Sequence, residues 1–234
     1  MDMGIMENKI VFLIPSYERI ESLTEIVKVI HEIGDVYVFQ DGGRQDYSSL
    51  LKYGVHLYKN KNHLGKKLFN ITVSVLFNIA DNHYADYYFF IPDDLIPVKD
   101  FHLKAIDTYN NINDNKKICL NLFLEQSRLG QKCWTDFSPI DKCNVYLSNW
   151  VDMCFLCKQE MFVYLNFYVP KIDRDWKKYP ELGSGVGSYI SKRLFLMGRN
   201  MYQVKSSLFI PHEAAFKSKM NPGQNNELIN KVVI

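Results

Sequence analysis

Tyr87-Tyr88-Phe89-Phe90-Ile91-Pro92-Asp93-Asp94-Leu95-Ile96-Pro97 is the stretch on which the reading of this chain depends. Its first five residues are apolar or aromatic, the pattern of a strand buried on both faces. The run ends in a proline and two adjacent carboxylates, then resumes with Leu95 and Ile96. Two close like charges repel and resist desolvation, so packing alone is a poor reason to put an acid pair at a buried strand end. A hard divalent cation, Mg²⁺ or Mn²⁺, resolves the conflict by taking carboxylate oxygens while leaving positions open for phosphates. The ordinary alternative is a strand-ending turn with solvated aspartates.

The segments upstream repeat the theme of a buried strand with polar residues at its carboxyl end. Lys9 to Ile14 reads as a fully buried strand of a parallel sheet, broken by Pro15-Ser16-Tyr17-Glu18-Arg19. Leu23, Ile26, Val27, Ile30 and Ile33 then share one helical face, and Gly34 ends that helix. Val36 to Phe39 is a second strand, followed by Asp41-Gly42-Gly43-Arg44. Open α/β sheets place their ligand crevices at such strand ends. A short helix near Tyr47 to Lys52 and a strand from Val55 to Tyr58 lead into the basic loop Lys59 to Lys67. That loop opens a helix striped with Leu68, Ile71, Val75, Leu76 and Ile79. Ammonium groups and free N–H groups at a helix start can hold a diphosphate; a solvated charge run is the plainer reading.

Downstream the pattern is less regular. Phe101 to Ile112 reads as helix, Ile118 to Phe123 as strand, and Ser127 to Asp141 as loop. Asn149 to Leu156 reads as one strand carrying a single acid, Asp152, and a short helix with Met161 and Phe162 follows. Val169 to Leu182, polar and aromatic with two prolines, fits a flexible loop or lid. Gly183-Ser184-Gly185-Val186-Gly187-Ser188 leads into a helix ending near Leu196. Met201 to Val204 and Leu208 to Ile210 read as strands, the latter ending in Pro211-His212-Glu213. With no internal repeat and no linker, 1–234 is taken as one domain.

Composition sets the outer limits. The 234 residues are 47% hydrophobic and 23% charged, which excludes a disordered chain. A net charge of +2 is too mild to diagnose a nucleic-acid binder. The five cysteines are odd in number and scattered, and Cys154-x-x-Cys157 has no second ligand pair for zinc, so reduced core thiols are expected. No stretch reaches transmembrane length, and Met1 to Glu7 is too polar for a signal peptide. The expectation is a soluble cytoplasmic protein, in the host cytoplasm if the chain is viral.

Taken in order, Ile14 to Arg19 (IPSYER), Phe39 to Gly43 (FQDGG), Asn62 to Asn70 (NHLGKKLFN), FFIPDDLIP and Ser207 to Pro222 resemble the motifs of the GT-A nucleotide-sugar glycosyltransferases, most closely the large family 2. The resemblance runs over almost the whole chain. It implies a Rossmann-like, mostly parallel central sheet flanked by helices, in one α/β domain. A nucleotide-binding half would cover about 1–100, an acceptor and metal half about 101–222, and a tail 223–234. It further implies that Pro15, Tyr17, Arg19, Asp41, Gly42, Gly65, Lys66, Asn70 and Asp93 meet the nucleotide. Asp94 and His212 would hold Mn²⁺ or Mg²⁺. Two departures matter. Pro92 stands where the family has an acid, which makes Asp94 the metal residue, and GSGVGS replaces the Glu-Asp pair of many inverting members. The acceptor base is therefore sought at Asp152, then at Asp175 or Asp173.

The chemistry suits the residues themselves. A sugar diphosphate leaves with negative charge that a cation, Lys66 or Arg19 can stabilise, and one carboxylate must take the acceptor hydroxyl's proton. The donor expected is a UDP- or GDP-sugar; the acceptor is open, with a hydroxymethylated base in phage DNA and a glycan among the candidates. Lys171, Arg174, Lys177, Lys178, Lys192 and Arg193, interleaved with Trp176 and Tyr179, could contact a nucleic acid or form a solvated basic face. Two rivals remain at this stage. A nucleotidyltransferase would show a glycine-rich loop after the first strand, and Pro15-Ser16-Tyr17 is not one. A catalytically inactive GT-A-like binding module is made credible by Pro92 and the missing Glu-Asp.

Overall fold

The computed structural model describes residues 8–124, 138–140, 144–151, 153–175, 177–179 and 183–212. In chain order the elements are β1 (Ile10–Ser16), α1 (Ile20–Ile30), β2 (Asp35–Gln40), a 3-10 turn (Ser48–Tyr53), β3 (His56–Lys59), α2 (Phe69–Asn82), β4 (Tyr87–Phe90), β5 (Leu95–Pro97) and α3 (Phe101–Asn111). Then come β6 (Lys117–Asn121), β7 (Ser138–Ile140), β8 (Val145–Ser148), β9 (Phe155–Cys157), α4 (Gln159–Tyr164), α5 (Val186–Leu196), β10 (Asn200–Val204) and β11 (Phe209–Pro211).

Nine strands form one sheet in the order β3-β2-β1-β4-β9-β6-β10-β8-β7. β3, β2, β1 and β4 are mutually parallel. β9 enters antiparallel between β4 and β6, and β8 antiparallel beside β10. Seven of the nine strands thus run the same way, as the α/β reading expects. Alternation along β1 feeds two cores. Ile10, Phe12 and Ile14 pack with Leu23, Ile26, Val27 and Ile30 of α1 and Phe101 of α3 on one face. Val11 and Leu13 pack with Val73, Leu76 and Phe77 of α2, Phe162 of α4 and Ile190 of α5 on the other. β1, β2 and β4 are buried on both faces, so each reads as an unbroken apolar run.

Asn149 to Leu156 does not form one strand. β8 stops at Ser148 and β9 starts at Phe155, with none of the intervening described residues in a strand. The Ser148 hydroxyl accepts from the Trp150 N–H at 3.1 Å and donates to the Trp150 carbonyl at 3.0 Å, and the Asn121 amide donates to that same carbonyl at 2.7 Å. These side chains take over the backbone's polar groups and turn the chain. The stretch read as loop after Ser127 contains strand β7, and the first strand continues through Pro15 and Ser16. Cys119, Cys154 and Cys157 are buried, as expected of core thiols, and Cys133 and Cys143 lie outside the described residues. Among the described residues no helix is long and apolar enough to cross a membrane.

A polar stripe on α2 fixes the start of the Val169–Leu182 segment. The Ser74 hydroxyl accepts from the Val169 N–H at 2.9 Å, and the Asn70 amide donates to the Val169 carbonyl at 3.2 Å. The Asn78 amide reaches the Phe167 carbonyl at 3.4 Å. Residues 70, 74 and 78 recur every four positions and so share one helix face. Beyond Val169 the described residues of the segment carry no regular element.

Candidate functional site

Parallel strands β1, β2 and β4 deliver their carboxyl ends to one edge of the sheet. There a cleft of about 240 Å³ is lined by Pro15, Tyr17, Arg19, Asp41, Gly65, Lys66, Asp93 and Asp94, all expected at the nucleotide or metal. Ser16, Phe69, Thr72, Pro92, Gly183 and Ser184 complete its wall.

Asp93 is the hub. Its Oδ2 accepts the Tyr17 N–H at 3.0 Å, and its Oδ1 accepts Arg19 Nη1 at 2.8 Å. The Ser22 hydroxyl donates to its backbone carbonyl at 2.6 Å, tying the first turn of α1 to the acid pair. Arg19 Nη1 reaches Asp94 Oδ2 as well, at 2.6 Å. Asp93 is buried, whereas the Asp94 side chain is 20% exposed and faces the cleft. Burial pushes the Asp93 carboxyl up to about 6, against the pull of Arg19 and with a further push from Asp94.

That raised value makes a pH prediction. With the folded value above the unfolded one, Asp93 binds more protons in the native state between about pH 4 and pH 6. Its contribution to stability is then greatest at low pH and is lost as pH rises through 6, amounting to as much as ~3 kcal/mol. Denaturant unfolding at pH 7.5 and pH 5 should show the wild type gaining stability on acidification relative to Asp93→Asn. Parallel pH dependence in the two proteins would contradict the burial effect.

The turn that carries Arg19 is held by residues far away in sequence. Glu18 adopts φ 50°, the left-handed region that a side chain disfavours, and its carboxylate accepts the Arg44 N–H at 3.0 Å. The buried Tyr47 hydroxyl accepts the Arg19 N–H at 3.0 Å and pairs with the Ser16 hydroxyl at 2.9 Å. Gln45 Oε1 accepts the Ile20 N–H and so caps α1.

Asp41 closes the neighbouring wall. Its carboxylate accepts the Leu64 N–H at 2.8 Å and the Gly65 N–H at 3.0 Å, and lies 3.1 Å from His63 Nδ1. The basic loop is thereby folded onto the end of β2, bringing Lys66 to the cleft. Gly42 permits this approach: at φ 69°, a side chain there would meet the His63 backbone nitrogen at 2.6 Å. Tyr17 stacks on His63 with ring centroids 3.7 Å apart.

The remaining expected residues stand elsewhere. Asn70 gives its amide nitrogen to the Val169 carbonyl, its Oδ1 has no hydrogen-bond partner among the described residues, and it is not part of the cleft wall. Asp175 accepts the Lys178 N–H at 3.0 Å in an exposed turn. Pairing of β11 with β5 brings His212 beside the acid pair, its N–H donating to the Asp94 carbonyl at 2.8 Å, while its ring lies 3.6 Å from Glu25. Arg174 reaches Ser188 at 3.2 Å and the Gly183 carbonyl at 3.4 Å, at the cleft's edge. Asp152 and Trp176 lie outside the described residues.

The sequence reading missed Ser16, Phe69 and Thr72 in the wall and Tyr47 behind it. Phe69 and Thr72 sit in the first turn of α2, directly after the basic loop, and that position was the available signal. Nothing local marks Tyr47.

Among the solved structures that match, S. aureus TarS residues 1–349 aligns with 87% of this chain and 60% of its own, at 12% identity and TM-score 0.60. The same TarS fragment in complex with UDP covers 86% of this chain and 59% of its own, at 13% identity and TM-score 0.58. In complex with UDP-GlcNAc the figures are 97%, 62%, 12% and 0.57. The chain therefore has the GT-A fold of the nucleotide-sugar glycosyltransferases, and it spans about three fifths of the length of these TarS chains. No family model and no curated protein matches it.

Proposed function

We propose that this chain transfers a sugar from a UDP- or GDP-sugar to an acceptor hydroxyl, on DNA or on a glycan, with Mn²⁺ or Mg²⁺ held at Asp94. The observation that carries this reading is the convergence of the Asp93–Asp94 pair, Arg19, Lys66 and the Asp41-clamped loop on one cleft at the sheet's carboxyl edge. The cleft-facing carboxylate of Asp94 suits a hard cation; the His212 backbone lies beside it, and its imidazole, now 3.6 Å from Glu25, would have to turn to join as a second ligand. No three acidic, histidine or cysteine side chains cluster among the described residues, so the other positions would fall to diphosphate oxygens and water, as is usual for Mg²⁺. When bound, the cation would offset the charge on the departing diphosphate.

The chain's own residues do the rest. Tyr17 and Asp41 stand on the side expected to receive the base. Lys66 and Arg19 bring two fixed positive charges to the diphosphate, where preorganised cations are most effective. Asp152 is proposed to take the acceptor proton. Arg174, at the mouth beside Ser188 and Gly183, is the one of the candidate basic residues best placed to meet an anionic acceptor. UDP- and GDP-sugars should raise the melting temperature with Mn²⁺ and lose that effect in EDTA. A panel of such donors scored for hydrolysis or transfer then separates an enzyme from a binding module. Equal binding of every donor with no turnover, with or without acceptor, would sink the enzymatic reading.

A further inference from the structure

Arg19 spends one nitrogen on two carboxylates. Nη1 stands 2.8 Å from Asp93 Oδ1 and 2.6 Å from Asp94 Oδ2, with the arginine side chain 16% exposed. The grip on Asp93 is structural, because Asp93 also holds the Tyr17 N–H and the start of α1. The grip on Asp94 is different, since Asp94 faces the cleft and is the residue proposed for the divalent cation. A guanidinium and a divalent cation on the same carboxylate would repel each other strongly in so dry a setting. One must yield.

Arg19 also lines the cleft, together with Lys66. A bound diphosphate would therefore give the guanidinium a second anionic partner without requiring it to leave Asp93. Arginine's several N–H donors allow such an exchange, with one edge kept on a carboxylate and another turned to phosphate. Resting on the donor reading above, we propose that Arg19 keeps Asp94 closed to divalent cations until a nucleoside diphosphate arrives, and that this side chain adds to the cooperativity that cation and nucleotide have from direct coordination. Each ligand then raises the other's affinity by the same factor, as linkage requires.

The test is a Mn²⁺ titration read by the electron paramagnetic resonance signal of free Mn²⁺, corrected for ion held by free nucleotide. It is run at pH 8, above the range in which Asp93 titrates, on wild type, Arg19→Gln and Arg19→Lys, each with and without UDP or GDP. The wild type should bind Mn²⁺ weakly alone and about tenfold or more tightly with the matching nucleotide. Arg19→Gln should bind Mn²⁺ alone about tenfold more tightly than the wild type and show a nucleotide enhancement smaller by about the same factor, the part due to direct diphosphate coordination remaining. Arg19→Lys keeps a counter-charge for Asp93 but has a shorter reach and no second edge to offer a phosphate, so it should move the same way by a smaller factor. It also decides the question if Arg19→Gln does not fold. Variants that bind Mn²⁺ no more tightly than the wild type, or that keep its full enhancement, overturn the inference while leaving the donor reading intact. A wild type that binds no Mn²⁺ even with nucleotide overturns both.

Discussion

Asp94→Ala should abolish the metal dependence of nucleotide binding and lower kcat/KM by roughly 10³-fold, the scale lost when one preorganised electrostatic partner of a transition state is removed. The expectation follows from the unequal environments of the two acids. Asp93 is buried and occupied on both oxygens, whereas Asp94 is partly exposed, lines the cleft and gives only Oδ2 to Arg19. Removing Asp94 leaves the Arg19–Asp93 pair in place, so the melting temperature of the free protein should change little. Nucleotide affinity in Mn²⁺ should fall to the value seen in EDTA. Calorimetry in both conditions, with steady-state kinetics, checks the two halves separately. Wild-type turnover that EDTA does not lower would remove the metal from Asp94.

Asp93→Ala is a different experiment, which is why the pair must be dissected residue by residue. It would leave a half-buried guanidinium without its main partner and the Tyr17 N–H unpaired, so lost activity there would report damage to the 15–19 turn.

The sheet was legible where its strands are buried on both faces. IVFLI and YYFFI carry no charged residue to suggest another fold, and parallel strands covered by helices on both sides have this character. Helix α1 was legible because Leu23, Ile26, Val27 and Ile30 hold strict helical spacing. The second half was harder because its sheet is mixed and its strands are short. β8 pairs antiparallel between β10 and β7 and carries only half-buried residues at its centre. WVDMCFL has a strand's composition, yet hydrogen bonds from Ser148 and Asn121 redirect it, and no window of sequence contains Asn121.

The site was legible in its members more than in its wiring. Arg19, Asp41, Lys66 and Asp94 stand at strand ends or in loops, where function concentrates. That Arg19 bridges two acids 74 and 75 residues away is a tertiary fact. So is the use of Tyr47 to fix the turn. With Ser74 and Asn78, Asn70 marks a polar stripe along α2 that grips the backbone of residues 167 and 169.

Asp152→Asn should lower turnover by roughly two to four orders of magnitude while leaving donor and Mn²⁺ binding intact. The proposal rests on the sequence, in which Asp152 is the single acid of its WVDMCFL stretch. The Val151 N–H is held at 2.7 Å by the Ser191 hydroxyl of α5, and a side chain on Gly187 would meet the Val151 carbonyl at 2.7 Å. The backbone at Val151 is thus pressed against the first turn of the helix whose preceding residues, Gly183 and Ser184, line the cleft. The Asp93–Asp94 pair lines the same cleft, in the turn between β4 and β5. A general base acts in the transition state, so its loss should fall on kcat with little change in donor affinity, and the acidic limb of the kcat–pH profile should disappear with it. Asp175→Asn provides the contrast: its carboxylate is engaged by the Lys178 N–H in an exposed turn away from the cleft wall, and its loss should cost little. An Asp152→Asn enzyme with full turnover, or one that no longer binds nucleotide and Mn²⁺, would move the proton-accepting role to Asp173 or Asp175.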